Sequence, residues 1–204
     1  MMEQLLTFDE KLFLLLNRQH NTFFDPVMYW ASNEYCWIPM YVLLFIFLLR
    51  RYGSFAWYIF ICITLLITSS DQLSSNLIKN LVERPRPSHA LSLIGKIHLS
   101  EAGPGGEYGF VSSHAANTFA LAIFLGLVLP RQDRRIKYFL FGWAALVSYS
   151  RIYNGVHYPG DVLGGMLLGG LLAYLFRWLF RHFQSFYLLK IKRQERYRDA
   201  NHQK

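Results

Sequence analysis

Three short motifs, far apart in the chain, together carry the side chains that metal-free phosphoryl transfer requires. They read Lys-x6-Arg-Pro, Ser-x-His and Ser-Arg-x5-His-x3-Asp, in that order along the chain. Together they supply fixed cations, two imidazoles and a carboxylate, which suits transfer through a histidine nucleophile. The residues that carry this chemistry are Lys79, Arg86, Ser112, Ser113, His114, Arg151, His157 and Asp161.

The first two motifs predict a phosphate cradle and a proton donor. Lys79 and Arg86 can hold phosphate oxygens, the lysine as a point charge and the arginine through a planar two-pronged contact. Ser112 and Ser113 come directly before an apolar run, where serine caps a helix and the first helical amides bind anions. His114 then falls in the first helical turn, from which it can protonate a departing oxygen.

The third motif predicts a nucleophile and the group that orients it. Arg151 lies at the end of an apolar segment, and His157 follows after a turn that contains Asn154 and Gly155. His157 can attack phosphorus while Asp161 accepts a hydrogen bond from the other ring nitrogen.

Taken singly, these residues also have structural interpretations. Each cation can extend to lipid headgroups, the two serines can serve only as helix caps, and an isolated His-x3-Asp pair is often a surface pair. Asp71, four residues before Ser75 and eight before Lys79, is either part of the site or a buried carboxylate that holds helices together. Arg84 has no spacing argument and is predicted to be solvated or lipid-facing.

The composition predicts an all-α, polytopic membrane bundle. Hydrophobic residues make up 53% of the 204 residues and are gathered into long blocks. A soluble helical protein is disfavoured, because these blocks leave too little polar surface to cover them. About five transmembrane helices are predicted, at residues 27–49, 56–78, 114–129, 136–149 and 162–180.

One domain, 1–204, is expected, and its two ends are expected to differ from the bundle. Residues 1–24 have an apolar side but also carry charge, which favours a helix lying in the membrane interface. The transmembrane bundle is expected over 27–185, and a basic cytoplasmic tail over 186–204.

The distribution of cations predicts the orientation. Most Lys and Arg residues lie between the first and second spans, between the third and fourth, or after the fifth, and the positive-inside rule makes that side cytoplasmic. All three motifs then face the opposite side. The net charge of +8 is explained by this topology and by anionic headgroups, so nucleic-acid binding is not expected. Cys36 and Cys62 fall within predicted spans and indicate neither a disulfide nor a metal site.

The three motifs resemble the signature of the type 2 phosphatidic acid phosphatase superfamily, which reads Lys-x6-Arg-Pro, Pro-Ser-Gly-His and Ser-Arg-x5-His-x3-Asp. The first and third patterns match completely, and the second matches at Ser112 and His114. Val111 and Ser113 stand where the family pattern has Pro and Gly. The resemblance covers residues 71–170.

This resemblance implies that His157 is the nucleophile, Asp161 its orienting partner and His114 the general acid. Lys79, Arg86, Ser112 and Arg151 become phosphate ligands, with Ser113 beside them, and no metal or other cofactor is implied. The departures at Val111 and Ser113 are expected to affect substrate preference more than the chemistry.

The function expected from this reading is a lipid phosphatase of the bacterial inner membrane, with its site facing the periplasm or the cell exterior. It would act through a phosphohistidine on a polyprenyl diphosphate, phosphatidylglycerophosphate, phosphatidic acid or lipid A. A lipid phosphotransferase or a non-catalytic lipid-phosphate binder is the alternative. A vanadate-dependent haloperoxidase is disfavoured because those proteins are large and soluble. The sequence does not indicate an oligomeric state.

Overall fold

The protein is all-α, as predicted, in a computed structural model that describes the backbone of residues 2–202 and the side chains of residues 3–185. No strand forms in this part of the chain, where β pairing is limited to an isolated bridge between Pro85 and Tyr108. The helices are α1 Met2–Asn17, α2 Phe24–Ser32, α3 Ile38–Tyr52, α4 Ala56–Asp71, α5 Lys79–Val82, α6 Ser113–Val128, α7 Arg134–Tyr153 and α8 Pro159–His202.

The predicted first span, 27–49, is not one helix. It divides into α2, a 3-10 turn at Glu34–Trp37 and α3. Asn33 caps that turn by accepting a hydrogen bond from the Tyr35 amide at 2.9 Å. Pro39 lies in the first turn of α3, where its missing N–H costs nothing, so it starts a helix and does not kink one.

Two helical stretches are long and apolar enough by length and composition to cross a membrane, Glu34–Val82 and Pro159–Ser185. The first is bent back on itself at Gly53, which has a φ of +56°. The Phe45 and Phe60 rings on either side of that bend stack at 4.4 Å, so α3 and α4 pack as an antiparallel pair. Ser113–Val128 is a shorter apolar helix. The count of five transmembrane helices stays a prediction.

Helix α6 lies at the centre of the bundle and positions the second motif. Ala116, Ala120 and Phe124 on this helix are fully buried. Helix α8 approaches it closely at Gly165 and Gly169, where a side chain would meet the carbonyl oxygens of Ser112 and Ala116. The small residues therefore bring the start of α8, which carries Asp161, against the start of α6.

Helix α1 docks on the same end of the bundle through its buried side. Phe13 is fully buried and packs edge-on against Tyr158 at 5.4 Å, while Leu5, Phe8 and Leu15 remain exposed. An exposed apolar side is compatible with an interfacial helix, which stays a prediction. The predicted basic tail, 186–204, lies beyond the residues whose side chains are described.

Candidate active site

The predicted site residues converge at one end of the bundle. All of them except Ser112 and Asp161 line a single cavity of about 610 Å³. Its polar end contains Lys79, Arg86, Ser113, His114, Arg151 and His157. The segments that carry them are separated by long stretches of chain, so the tertiary structure assembles the site.

His157 lies in the short turn between α7 and α8 and is 1% exposed. Its Nδ1 is 3.3 Å from Oδ2 of Asp161, a carboxylate with no exposed surface. The same Asp161 oxygen accepts a hydrogen bond from the Tyr158 amide at 3.0 Å, which fixes the carboxylate. With Nδ1 facing Asp161, Nε2 is the ring nitrogen left to act on a ligand in the cavity.

Burial holds the pKa of His157 well below its usual value of 6.5, and the charges of Arg86, Arg151 and Lys79 lower it further. A lowered pKa means that the neutral imidazole dominates at neutral pH. Only the neutral ring has the lone pair that a nucleophile needs. The cations that would bind phosphate therefore also keep the imidazole in its reactive form.

Arg84 belongs to the site, so its prediction as a solvated or lipid-facing charge was wrong. Its Nη1 donates to Asp161 Oδ1 at 2.8 Å, and its Nη2 donates to Asp9 Oδ2 at 2.8 Å. The guanidinium also lies 4.0 Å from the centre of the Tyr158 ring. Asp161 is thus held between His157 on one side and Arg84 on the other.

Asp9 is a second residue that sequence reasoning missed. Besides pairing with Arg84, it accepts a hydrogen bond from the Gly160 amide at 2.8 Å, in the first turn of α8. It connects α1 to the segment that carries His157 and Asp161. Its only sequence signal is that it belongs to a short charged group, with Glu10 and Lys11, which interrupts an apolar stretch. That signal does not indicate a partner 151 residues away.

Lys79 is held in place by a chain of side-chain hydrogen bonds. Its Nζ donates to Ser113 Oγ at 2.9 Å, and that oxygen lies 2.8 Å from Ser75 Oγ. Ser75 in turn donates to Asp71 Oδ1 at 3.4 Å, and Asn117 donates to the same oxygen at 3.3 Å. Asp71 therefore supports the cradle through its neighbours while it also lines the cavity.

Arg86 and Arg151 each have a buried nitrogen without a hydrogen-bond partner among the described residues, Nη1 and Nε respectively. Arg86 Nε donates to the Tyr108 carbonyl at 3.1 Å, and Arg151 Nη1 donates to Ser32 Oγ. Buried donors normally find an acceptor, so unused donors beside one cavity indicate a place for an anionic ligand. Phosphate oxygens would satisfy both arginines.

The second motif has one serine that caps a helix, followed by a serine and a histidine that line the cavity. Ser112 is fully buried, and its Oγ accepts a hydrogen bond from the Ala115 amide at 3.4 Å, so it caps α6. Its own amide donates to the Asp161 carbonyl at 3.0 Å. Ser113 and His114 line the cavity, so Ser113 is the serine whose side chain faces the predicted phosphate position.

Away from the cations, the cavity continues into the bundle between α3, α4, α6 and α7. This part is lined by apolar and aromatic side chains, among them Leu44, Phe45, Leu48, Phe60, Ile63, Ile67, Leu121, Trp143 and Val147. One cavity thus offers a cationic end for an anion and an apolar end for hydrocarbon.

Comparison with known proteins identifies the family. The model of the family described as "PAP2 superfamily" matches residues 55–184, a stretch that contains all three motifs. A lipid A 4'-phosphatase of Bacteroides thetaiotaomicron is 38% identical over 181 residues, which cover 86% of this chain and 78% of that protein. An undecaprenyl-diphosphatase of Sulfolobus acidocaldarius is 31% identical over 178 residues, which cover 85% and 79%.

The fold is also that of a solved membrane protein. The crystal structure of a transmembrane PAP2-type phosphatidylglycerolphosphate phosphatase from Bacillus subtilis matches with a TM-score of 0.66 and 24% identity, covering 86% of each chain. The resemblance predicted from the motifs is confirmed, and this chain belongs to the PAP2 superfamily.

Proposed function

We propose that this membrane phosphatase hydrolyses the phosphomonoester or diphosphate of a lipid, one phosphoryl group at a time, through a phosphohistidine intermediate. The observation that carries the proposal is the cavity itself, where a buried neutral imidazole backed by a carboxylate faces three cations. The phosphatase relatives support the hydrolytic reaction.

In the first step, the phosphate group binds to Lys79, Arg86 and Arg151, where it occupies the unused donors of the two arginines. Nε2 of His157 attacks the terminal phosphorus, and the bond from that phosphorus to the lipid oxygen of a monoester, or to the bridging oxygen of a diphosphate, breaks. Because the cations are already in place, they stabilise the transferring group without rearrangement. His114 protonates the departing oxygen.

In the second step, water attacks the phosphohistidine and releases inorganic phosphate. His114, now neutral, accepts the proton from that water, which returns both histidines to their starting states. The imidazolium that carries the phosphoryl group is stabilised by Asp161, whose second oxygen is fixed by Arg84.

The apolar end of the cavity supports a lipid substrate, whose hydrocarbon would lie between α3, α4, α6 and α7. The two relatives act on lipid A and on undecaprenyl diphosphate, according to their names. We place lipid A 4'-phosphate first among the substrates to test because that relative is the more similar of the two. Polyprenyl diphosphate, phosphatidylglycerophosphate and phosphatidic acid follow.

We further propose five transmembrane helices in a bacterial inner membrane, with the site facing the periplasm or cell exterior. Arg51 pairs with Asp133 at 3.5 Å, which brings together the α3–α4 and α6–α7 connections at the bundle end away from His157. The positive-inside rule assigns that basic end to the cytoplasm.

The test is phosphate release by purified protein in detergent, from a panel of these lipid phosphates with EDTA present. Turnover on at least one lipid, with a phosphoenzyme labile to acid, is expected. His157→Ala should show neither, while His89→Ala, an exposed histidine of the 83–112 loop, should behave as wild type. Turnover lost in EDTA and restored by magnesium or zinc would contradict the metal-free mechanism. Binding of a lipid phosphate without phosphate release would favour a non-catalytic lipid-phosphate binder. Transfer of the phosphate to a second lipid would favour a phosphotransferase.

A further inference from the structure

The cavity of the candidate active site contains a polar group that the proposed chemistry does not use. Asn117 lies on α6 and lines this cavity. Its side-chain oxygen, Oδ1, is buried and accepts no hydrogen bond from the described residues. A buried acceptor that stays unpaired costs free energy, so an unpaired acceptor beside a cavity indicates a hydrogen-bond donor on the ligand.

The orientation of the Asn117 amide is set by Asp71, the last residue of α4. Asn117 Nδ2 donates to Asp71 Oδ1 at 3.3 Å, and Ser75 donates to the same oxygen at 3.4 Å. Because a carboxylate oxygen only accepts, the amide nitrogen faces Asp71 and the amide oxygen is the free atom. Asp71 lines the cavity as well. A ligand therefore meets two acceptors here, while the donor of the amide is already engaged.

The position of Asn117 along α6 indicates which part of a substrate it meets. His114, Asn117 and Leu121 line the cavity from one face of the helix, at intervals of three and four residues. Asn117 lies about 4.5 Å beyond His114 along the helix axis, and Leu121 about 10 Å beyond it. His114 is the proposed proton donor to the leaving oxygen, and Leu121 belongs to the apolar part of the cavity. Asn117 thus lies beside the atoms that join the phosphate to the hydrocarbon.

The same position is unfavourable for a second phosphate group. The cations Lys79, Arg86 and Arg151 are assigned to the phosphate that is removed. A second phosphate, between the first and the hydrocarbon, would lie against the Asp71 carboxylate and the Asn117 oxygen. Neither of these groups offers it a hydrogen-bond donor, and the carboxylate repels its charge.

We propose that Asn117 is a specificity-determining residue, which accepts a hydrogen bond from a hydroxyl or amide N–H next to the phosphoester. The substrate class is then a lipid phosphomonoester whose headgroup carries such donors, as sugar, glycerol and amino-alcohol headgroups do. Polyprenyl diphosphates lack the donor and place a second phosphate at this position. This assignment rests on the phosphatase function proposed above and narrows its substrates.

The test compares three lipids with the same chain: 2-hydroxyhexadecyl phosphate, hexadecyl phosphate and hexadecyl diphosphate. The value of kcat/KM for each is measured with the full chain in detergent. Wild type should favour the hydroxylated ester over hexadecyl phosphate by about 10-fold, the scale of leaving one buried acceptor unpaired, and should favour it over the diphosphate as well. Asn117→Leu should bring the ratio of the two monoesters close to one. Asn117→Ala should do the same with a smaller side chain, in case leucine disturbs folding.

Thr118→Val is the matched control on the same helical turn. Thr118 also lines the cavity, but its hydroxyl already donates to the His114 carbonyl at 2.7 Å, so this variant should keep the wild-type ratio. A wild-type ratio near one, or a ratio that is unchanged in both Asn117 variants, would overturn the proposal. Faster turnover of the diphosphate than of both monoesters would overturn it too.

A binding measurement separates this proposal from the phosphatase function. Calorimetry with the His157→Ala protein gives the Kd of the two monoesters without turnover, and the hydroxylated ester should bind more tightly. If wild type hydrolyses none of the three lipids, the phosphatase function is contradicted and the ratio of the two Kd values decides on Asn117. Equal Kd values would then overturn the contact.

Discussion

The two histidines of the cavity differ in what surrounds them, and this difference supports the roles proposed for them. His157 has a carboxylate directly behind it, with Asp161 Oδ2 3.3 Å from its Nδ1. His114 lies on α6 facing the cavity, with Arg151 as a charged neighbour and no carboxylate partner among the described hydrogen bonds. A carboxylate stabilises an imidazolium that stays charged through a covalent intermediate, whereas a proton donor must give its charge away.

The first prediction separates these roles. His157→Ala should abolish turnover and phosphoenzyme together, because no covalent intermediate can form. His114→Ala should cost about 10²- to 10⁴-fold with a lipid substrate, and far less with a nitrophenyl phosphate, whose leaving group departs without a proton. The measurements are kcat on both substrates and acid-labile phosphoenzyme. Phosphoenzyme trapped in His157→Ala, with equal losses for His114→Ala on both substrates, would reverse the assignment.

A second prediction concerns pH. Since burial and the neighbouring cations lower the pKa of His157 below 6.5, the neutral nucleophile persists as the pH falls through that value. The acid limb that His157 contributes to kcat/KM should therefore lie below 6.5. Arg86→Gln removes one of those cations, so it should raise the pKa and move the acid limb to higher pH. Profiles of kcat/KM for both proteins check this, and an unmoved limb would contradict it.

Arg84 supports the third prediction. Arg84→Ala leaves Asp161 without its 2.8 Å partner, so kcat should fall by about 100-fold, the scale of losing one preorganised charge. Arg84→Lys should retain part of the kcat that Arg84→Ala loses. In a double-mutant cycle with Asp161→Asn, the losses of kcat from the two single substitutions should not add, because the two residues act together. Lys96→Ala, which removes an exposed cation from the same loop, is the control.

Of the contacts in the candidate site, the sequence predicts those between residues whose spacing along the chain brings them together. His157 and Asp161 are four residues apart at the start of a helix, so local structure brings them together. Arg84 and Asp9 could not be found this way, because their pairing depends on how α1 docks on α8. The same limit applies to the break in the 27–49 span, since an apolar run does not reveal whether its proline kinks one helix or starts a new one.

The contact between α6 and α8 carries the fourth prediction. A Cβ at Gly165 would meet the carbonyl oxygen of Ser112, which is backbone and cannot move aside. Gly165→Ala should therefore destabilise the protein by about 1–3 kcal/mol and shift Asp161, lowering activity as well. Gly142→Ala is the matched control, since no described residue outside the local helix backbone lies within 4 Å of a Cβ there. Thermal unfolding in detergent compares them, and equal Tm values would show that the helices can separate at no cost.

The two ends of the helical bundle carry different groups of cationic residues. Helix α6 begins at the candidate site and α7 returns to it at Arg151, so the connection between them, with Arg131 and Arg134, lies at the far end. The bend between α3 and α4 lies at that end too, because Arg51 contacts Asp133 there. The cations of the candidate site are thus gathered at one end of the bundle and those of the connecting segments at the other. Only the second group follows the rule that sets membrane orientation.

The last prediction tests that orientation with single cysteines. After Cys36→Ser and Cys62→Ala, Gly106→Cys in the 83–112 loop should react with an impermeant maleimide in intact cells. Gly106 is better than Gly105, because a Cβ there meets no described residue within 4 Å beyond its chain neighbours, whereas one at Gly105 would lie 2.6 Å from Arg86 Nη1. Gln132→Cys, exposed in the α6–α7 connection, should react only after lysis. The reverse pattern would place the site in the cytoplasm and remove the basis for an outer-leaflet substrate.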